Sequence, residues 1–368
     1  MSHPTSISTL SPARFLIAAT AIVTMTACGG EQRTGTGSST TAASTSGADL
    51  NGAGATFPYP IYSKWFSDYA TKTGVKINYQ SIGSGGGIRQ LSDQTVDFGA
   101  SDSPMSDDEL TKAKGGAVMH FPTVLGAVVL TYNVPGITQP LKLTGQTISD
   151  IFMGRVTKWN DSRIASQNAG VKLPATDVLV VHRSDGSGTT YIFSDYLSTV
   201  SPQWKAGPGK GKELQWPVGI GAKGNEGVAG QVKQTPGAIG YVELAYARQN
   251  KLSYALVQGA ARDFVEPTVQ SVTAAAAGAL KKLPANTDYR VSIVNAAGKG
   301  SYPISSFTYL LVYRNQTDST KARKLMDFMR WAYTQGEQSA PALDYAPLPA
   351  DLAQRLLARV DSIKVGAP

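Results

Sequence analysis

Three loops of the chain combine glycine with hydroxyl side chains, and each precedes a segment in which apolar residues have helical spacing. They cover residues 52–58 (GAGATFP), 81–87 (SIGSGGG) and 183–190 (RSDGSGTT). The free backbone N–H groups and the positive dipole end of a helix N-terminus attract anions. Glycine lets the backbone approach a ligand closely, and Ser or Thr adds hydroxyl donors. These residue types therefore suit the binding of an oxyanion.

Arg183 strengthens this interpretation for the third loop. Its planar guanidinium matches a tetrahedral oxyanion, and Asp185 is close enough in sequence to hold that guanidinium in place. A single loop of this composition is most often only a turn or a helix cap. Three such loops in one chain, one of them with an arginine, favour an oxyanion site.

Asp102 follows a predicted strand and has two interpretations. It is either the N-cap of a helix around residues 107–113 or a side chain placed beside the anion. The second placement is favourable only if the anion carries a proton that the carboxylate can accept. Phosphate near neutral pH carries one or two protons and sulfate carries none, so a carboxylate at this place would favour phosphate.

Alternating strands and helices are predicted to position these loops. The apolar patterns predict strands at residues 75–79, 96–100, 125–132, 178–181, 238–242 and 309–313, and helices at 61–69, 107–113, 191–197 and 322–333. This alternation indicates an α/β fold. The chain of 368 residues, 42% of them hydrophobic, is long enough for about two domains.

The composition argues against several classes of protein. One cysteine excludes an internal disulfide and a cysteine-rich metal site, and three histidines leave little for a histidine-based one, so we predict no metal and no cofactor. The net charge of +8 favours an anionic partner. Lys and Arg are scattered, with short clusters only at 281–282 and 321–324, so nucleic acid is not the predicted partner.

The N-terminus has the pattern of an export signal. The apolar run at 15–23 follows Arg14 and is too short to span a bilayer. It ends at Met25-Thr26-Ala27-Cys28, which resembles a bacterial lipobox, although that pattern prefers Leu where Met25 stands. Lipid modification of Cys28 is therefore predicted, and the alternative is a plain secretory signal with an incidental cysteine.

Six motifs, in chain order, carry a resemblance to a known family. They are residues 52–58, 82–86, 96–102, 121–124, 183–189 and 236–243. The chain resembles the phosphate-binding proteins of bacterial phosphate-specific ABC transporters from about residue 49 to 355, most weakly between 260 and 300.

The resemblance implies a set of ligand contacts. The positions that match the family's contacts are Thr56, Phe57 (main chain), Ser84, Asp102, Arg183, Ser187, Gly188 (main chain) and Thr189. The family's aspartate that braces the arginine matches Asp185.

It also implies a two-lobed periplasmic-binding-protein fold of type II with the ligand in the inter-lobe cleft. Residues 49–125 with 301–368 would form lobe I, and 126–300 would form lobe II. Before them we predict a signal peptide at 1–27 and a flexible Gly/Ser/Thr-rich tether at 28–48.

The implied function is extracytoplasmic binding of inorganic phosphate and its delivery to the membrane permease subunits of an ABC importer. Such a protein would be a monomer, periplasmic or at the cell surface, held to a membrane by its lipid anchor and without catalytic activity.

The alternative function is a phosphatase. Ser187 or Asp102 would be its nucleophile beside Arg183, with His182 as the nearby general acid. Strand alternation favours opposite faces for His182 and Arg183, which weakens this alternative.

A dinucleotide-binding site is the other rival. Residues 219–224 match G-x-G-x-x-G, and Glu243 follows at a suitable distance. Pro217 disfavours the strand that such a motif requires before it.

Overall fold

A computed structural model describes residues 49–280 and 287–366. The predicted signal peptide (1–27), the predicted lipid site at Cys28 and the predicted tether (28–48) lie outside these residues. Within the described ranges, no helix combines the length and apolar character that membrane crossing requires.

The elements alternate along the chain. The strands are β1 (Leu50–Gly54), β2 (Ile77–Ser81), β3 (Phe98–Ser101), β4 (Val118–Tyr132), β5 (Lys142–Leu143), β6 (Leu179–Arg183), β7 (Ile220–Ala222), β8 (Ala238–Glu243), β9 (Ser253–Tyr254), β10 (Leu256–Gln258), β11 (Phe264–Val265), β12 (Ser305–Tyr313), β13 (Asn315–Gln316) and β14 (Lys364–Val365). The helices are α1 (Tyr59–Thr73), α2 (Ser84–Ser92), α3 (Asp107–Lys112), α4 (Gly145–Phe152), α5 (Ser162–Ala165), α6 (Gly188–Val200), α7 (Pro202–Ala206), α8 (Gly224–Gln234), α9 (Leu244–Gln249), α10 (Val269–Leu280), α11 (Ser319–Thr334) and α12 (Ala350–Val360). Short 3-10 helices occupy Gly336–Ser339 and Pro341–Leu343.

One mixed sheet joins nine strands of the described part of the chain. Its order is β2-β1-β3-β12-β4-β8-β6-β7, and β9 pairs with β4. The groups β2-β1-β3 and β8-β6-β7 are parallel within themselves. The long strands β12 and β4 lie between the groups and run antiparallel to their neighbours. Two parallel groups are therefore joined by a central antiparallel pair.

Strand β4 connects the two parallel groups. Its residues 118–127 pair with β12, and its residues 128–132 pair with β8. All 15 residues of β4 are buried, as expected for a strand covered on both faces. The two lobes of the fold are built on the two parallel groups, and the exact limits at 125/126 and 300/301 remain a prediction.

Each parallel group has its own aromatic core. In the first lobe, Phe66 of α1 packs on Phe328 of α11 with ring centroids 5.3 Å apart. In the second lobe, Phe193 of α6 stacks on Tyr241 of β8 with centroids 4.4 Å apart. These buried rings fix the helices against the sheet, and the loops between strands and helices are fixed with them.

The predicted strands and helices are present, with shifted limits. The largest shift concerns β4, which begins at Val118 rather than at Leu125. The misleading residue is Pro122, which disfavours a central strand because it lacks an N–H. In the structure, Pro122 is paired with Tyr309 at a register shift between Thr308 and Tyr309. An irregularity of this kind accommodates a proline.

Candidate functional site

The residues predicted to bind an anion follow the carboxyl ends of parallel strands. Thr56 follows β1, Ser84 follows β2, Asp102 follows β3, and Arg183 is the last residue of β6. All four are at most 3% exposed. In open α/β sheets, ligands bind outside the carboxyl ends of the strands. The fold therefore brings polar side chains from both lobes to one buried place.

Ser84 joins the two lobes at this place. Its Oγ accepts a hydrogen bond from the backbone N–H of Gly188 at 3.0 Å and another from that of Asp102 at 3.2 Å. A Cβ atom at Gly188 would collide with Ser84 Oγ and Asp102 Oδ2. Only glycine permits this close approach of α6 to the first lobe.

Arg183 is fixed by Asp185. Its Nε donates to Asp185 Oδ1 at 2.7 Å, and its Nη2 donates to Oδ2 at 2.5 Å, so the pair is bidentate. Burial favours the neutral carboxyl, but the guanidinium outweighs burial and lowers the pKa of Asp185. The backbone N–H of Gly224 also donates to Oδ1 at 3.0 Å. Arg183 thus has a fixed orientation and points its Nη1 at Thr189, whose Oγ1 lies 3.3 Å away.

The N-terminus of α6 lies at the same cluster. Ser187 is its N-cap, and Ser187 Oγ accepts a hydrogen bond from the N–H of Thr190 at 3.0 Å. The N–H of Ser187 donates to the carbonyl of Lys212 at 3.0 Å. The positive end of the α6 dipole therefore faces the cluster and favours negative charge there.

The loop after β1 is held by two tyrosines. Tyr246 donates to the Thr56 carbonyl at 2.5 Å, and Tyr345 donates to the Phe57 carbonyl at 2.6 Å. These two buried hydrogen bonds hold the loop that carries Thr56 and Phe57 in place.

Asp102 is 2% exposed and is a carboxyl inside a set of donors. The Thr308 hydroxyl donates to its Oδ1 at 2.8 Å. Burial raises the pKa of Asp102 to about 7, although Thr308, the charge of Arg183 and Ser84 act in the opposite direction. Asp102 thus places carboxyl oxygens among the donors of the site, with a pKa well above its ordinary value.

The N-cap interpretation of Asp102 is wrong. Helix α3 is capped by Ser106, whose Oγ accepts from the N–H of Glu109 at 3.2 Å, while the Glu109 carboxylate accepts from the N–H of Ser106 at 2.9 Å. This reciprocal pair is a capping box. Asp102 has no part in it.

Two buried polar residues of the site were missed by sequence reasoning. Asn225, at the start of α8, lies between Thr56 and Thr189, and Thr308 lies beside Asp102. The available signal for Asn225 was the glycine run 219–224 before it. That run forms β7 and the start of α8, and Gly224 there has a positive φ of 73°.

The His182 imidazole stacks on Trp216, with centroids 4.7 Å apart and planes 9° apart. Burial lowers the pKa of His182.

Within the described residues, no group of three or more His, Cys, Asp or Glu side chains is arranged to hold a metal ion. The arrangement at Arg183 therefore suits the binding of a protonated oxyanion through fixed donors and one acceptor.

A family model and sequence relatives of known name both match this chain over most of its length. The family model described as the PBP superfamily domain matches residues 36–335. A phosphate-binding protein PstS of Xylella fastidiosa (strain Temecula1) is 47% identical over 313 residues, which cover 85% of each chain. The phosphate-binding protein PstS of Pasteurella multocida is 45% identical over 322 residues, which cover 87% of this chain and 92% of the relative.

Solved structures agree on the fold. A high affinity periplasmic phosphate-binding protein (PfluDING) bound with phosphate superimposes with a TM-score of 0.69 at 22% identity, covering 86% of this chain and 96% of the other. That likeness supports the two-lobed fold. The relatives of 45% and 47% identity show, in addition, to which family of this superfamily the chain belongs. The chain belongs to the PBP superfamily and, within it, to the family of PstS phosphate-binding proteins.

Proposed function

We propose that this protein binds one inorganic phosphate ion outside the cytoplasm and delivers it to the permease subunits of an ABC importer. The observation that carries the proposal is one buried cluster of polar groups from both lobes. It combines fixed hydrogen-bond donors, Arg183 among them, with Asp102 as a hydrogen-bond acceptor. The names of the relatives, phosphate-binding protein PstS, support the same ligand.

The proposed ligand contacts come from both lobes. They are Thr56, Phe57 (backbone), Ser84, Asp102, Arg183, Ser187, Gly188 (backbone) and Thr189. In this proposal Asp185 holds the Arg183 guanidinium, and the hydroxyl and N–H groups donate hydrogen bonds to the phosphate oxygens. Asp102 accepts a hydrogen bond from the protonated oxygen of the phosphate.

Calorimetric titration of the mature protein tests the ligand. We expect phosphate to bind with one-to-one stoichiometry, sulfate to bind far more weakly, and ATP not to bind, because the site residues are almost fully buried. Equal binding of sulfate and phosphate would contradict a site that recognises a proton.

We further propose that the protein is a binder and catalyses nothing. His182 stacks on Trp216, which disfavours its use as the general acid of a phosphatase. The test is incubation of purified protein with a phosphomonoester, and multiple turnovers of released phosphate would overturn the proposal.

Binding is proposed to close two lobes, formed by residues 49–125 with 301–368 and by residues 126–300. A ligand that contacts both sides stabilises the closed state more than the open state. Small-angle scattering of the monomer should show a smaller radius of gyration at saturating phosphate. An unchanged radius would contradict closure upon binding.

The proposed location is outside the cytoplasmic membrane, with diacylated Cys28 as the anchor and residues 29–47 as the spacer. Cys28→Ala should release the protein from membranes or leave its precursor unprocessed. Membrane-free protein whose N-terminus begins beyond Cys28 would contradict the anchor.

A further inference from the structure

Two threonine hydroxyls at the site each receive two N–H donors. Thr56 Oγ1 lies 3.2 Å from the backbone nitrogen of Asn225 and 2.7 Å from its Nδ2. Thr189 Oγ1 lies 3.1 Å from Asn225 Nδ2 and 3.3 Å from Arg183 Nη1. A hydroxyl has two acceptor positions and one hydrogen. Both acceptor positions of each threonine are thus occupied, and each hydroxyl hydrogen must point elsewhere.

The orientation of the Asn225 amide is determined by Glu243. The backbone N–H of Glu243 donates to Asn225 Oδ1 at 2.8 Å. A backbone N–H can only donate, so the atom that faces it must be the oxygen. The NH₂ group therefore faces Thr56 and Thr189, and the reversed amide is excluded.

Asn225 is held in this place by its surroundings. It is fully buried and lies in the first turn of α8, directly after Gly224. The N–H of Gly224 donates to Asp185 Oδ1, the oxygen that also accepts from Arg183. The start of α8 is thus hydrogen-bonded to Asp185 of the Arg183–Asp185 ion pair on one side and to Glu243 of β8 on the other.

We infer that Asn225 is a positioning residue that directs the hydroxyl hydrogens of Thr56 and Thr189 toward the bound anion. The inference rests on the proposed function, because it assigns these hydroxyls to a phosphate ligand. Among the described residues, the hydroxyl hydrogens of Thr56 and Thr189 have no acceptor within hydrogen-bond distance. In the inferred complex, oxygens of the ligand are the acceptors of these two hydrogens.

This arrangement favours one orientation of the bound phosphate. Unprotonated phosphate oxygens are favoured opposite Thr56 and Thr189, since a charged oxygen accepts a hydrogen bond more strongly than a P–OH oxygen does. The protonated oxygen is favoured opposite Asp102, the acceptor. Asn225 therefore contributes to orientation and selectivity without touching the ligand.

A double-mutant cycle tests the inference, with inorganic phosphate as the probe and the mature full-length protein. Asn225→Ala, Thr189→Val and the double variant are titrated beside the parent at pH 8. If Asn225 acts through the threonine hydroxyl, the two losses of affinity are not additive, and we expect a coupling of at least about fivefold. Additive losses would mean that Asn225 acts independently of Thr189, which overturns the inference. If Asn225→Ala does not fold, Asn225→Ser takes its place in the cycle.

The variant Asn225→Asp adds a second readout. Its carboxylate is isosteric but has only acceptors, so the threonine hydroxyls turn toward it and present lone pairs to the anion. We expect a loss of phosphate affinity larger than that of Asn225→Ala and at least about hundredfold at pH 8. The added charge also repels the anion, so the larger loss is expected on both grounds and the double-mutant cycle isolates the hydroxyl effect. A loss smaller than that of Asn225→Ala would overturn the inference, because a carboxylate that accepts from both threonines must weaken binding more than a missing side chain does.

Asn168→Asp is the matched control. Asn168 is also buried, donates from Nδ2 to the carbonyls of Lys142 and Ile164, and accepts from the N–H of Lys142. This variant should lower the melting temperature and leave phosphate affinity unchanged. A parent protein that binds no phosphate overturns the proposed function and the inference together. A parent that binds, with additive losses in the cycle, overturns the inference alone.

Discussion

Thr308 on β12 donates a hydrogen bond to Asp102 Oδ1 at 2.8 Å, although 206 positions separate the two residues in the chain. The second carboxylate oxygen, Oδ2, faces Gly188 at the start of α6. Thr308 occupies one lone pair of the carboxylate, so the remaining lone pairs, those of Oδ2 included, can accept a hydrogen bond from the ligand. The contact with Thr308 fixes the orientation of this acceptor.

Asp102→Asn should reduce the selectivity for phosphate over sulfate. At pH 8, above the raised pKa of Asp102, the change removes a negative charge that opposes sulfate and adds an amide donor. We expect the affinity ratio to fall by at least about tenfold, mainly because sulfate binds better. Calorimetric titration with both anions measures it. Arg183→Ala is the contrast, and it should weaken both anions because its donors do not depend on the ligand proton. An unchanged ratio in Asp102→Asn would show that another group recognises the proton.

The same variant should alter the pH dependence of stability without ligand. The folded-state pKa of Asp102 is about 7, against an ordinary value of 3.8, so between these values the folded state holds a proton that the unfolded chain has lost. Stability therefore falls as pH rises from about 4 to about 7. Each pKa unit corresponds to about 1.4 kcal/mol.

Asp102→Asn should remove this part of the pH dependence, on the order of 2–4 kcal/mol. Urea unfolding of phosphate-free protein at the two ends of the pH range measures it. Glu243 and Glu337, whose pKa values burial also raises, are unchanged in the comparison. Parallel stability curves for parent and variant would contradict the burial of Asp102 in the phosphate-free protein, the result expected if the lobes open without ligand.

Gly188→Ala should weaken phosphate binding. Its Cβ would collide with Ser84 Oγ and Asp102 Oδ2, so the contact between the lobes could not form as described. Overpacking of this kind costs about 1–3 kcal/mol, which corresponds to about 5- to 140-fold in affinity. Gly230→Ala in α8 is the control, because a Cβ there has no atom within 4 Å. Equal affinities of the two variants would refute the steric argument.

Glu109→Gln should accelerate phosphate release. Lys212 Nζ lies 2.6 and 2.8 Å from the two oxygens of Glu109 and joins the two lobes beside the site. Partly exposed ion pairs contribute about 0.2–1 kcal/mol, so dissociation should become about one and a half to fivefold faster. Stopped-flow displacement of phosphate measures the rate. Asp93→Asn breaks a pair with Lys114 within one lobe and should leave the rate unchanged.

The positions of Arg183, Asp185 and Ser187 could be predicted from sequence because they are neighbours in one loop. Their contacts depend on local geometry, such as the bidentate pair across two residues. Thr308 and Asn225 could not be predicted in this way. Each reaches the site through strand order and register, which bring distant residues together. Thr308 lies inside a strand, and the glycine-containing segment before Asn225 does not by itself indicate that Asn225 contacts Thr56 and Thr189.

The role of Asp102 as a helix cap could have been excluded from the sequence. Ser106 and Glu109 form the pattern S-x-x-E, which marks a capping box at the start of α3. The raised pKa of Asp102 could not have been predicted, because it depends on burial by elements from separate parts of the chain.

Strand β4 belongs to both lobes at once, since its first part pairs with β12 and its last part pairs with β8. The two ladders share one continuous strand, so fraying at its junction near residues 127 and 128 weakens both. The lobes are therefore coupled in folding, and denaturation of residues 49–366 should proceed as one cooperative transition with coincident fluorescence and circular dichroism curves. A fragment that ends within β4 would lack an interior strand, so separately expressed lobes should not form independent folding units.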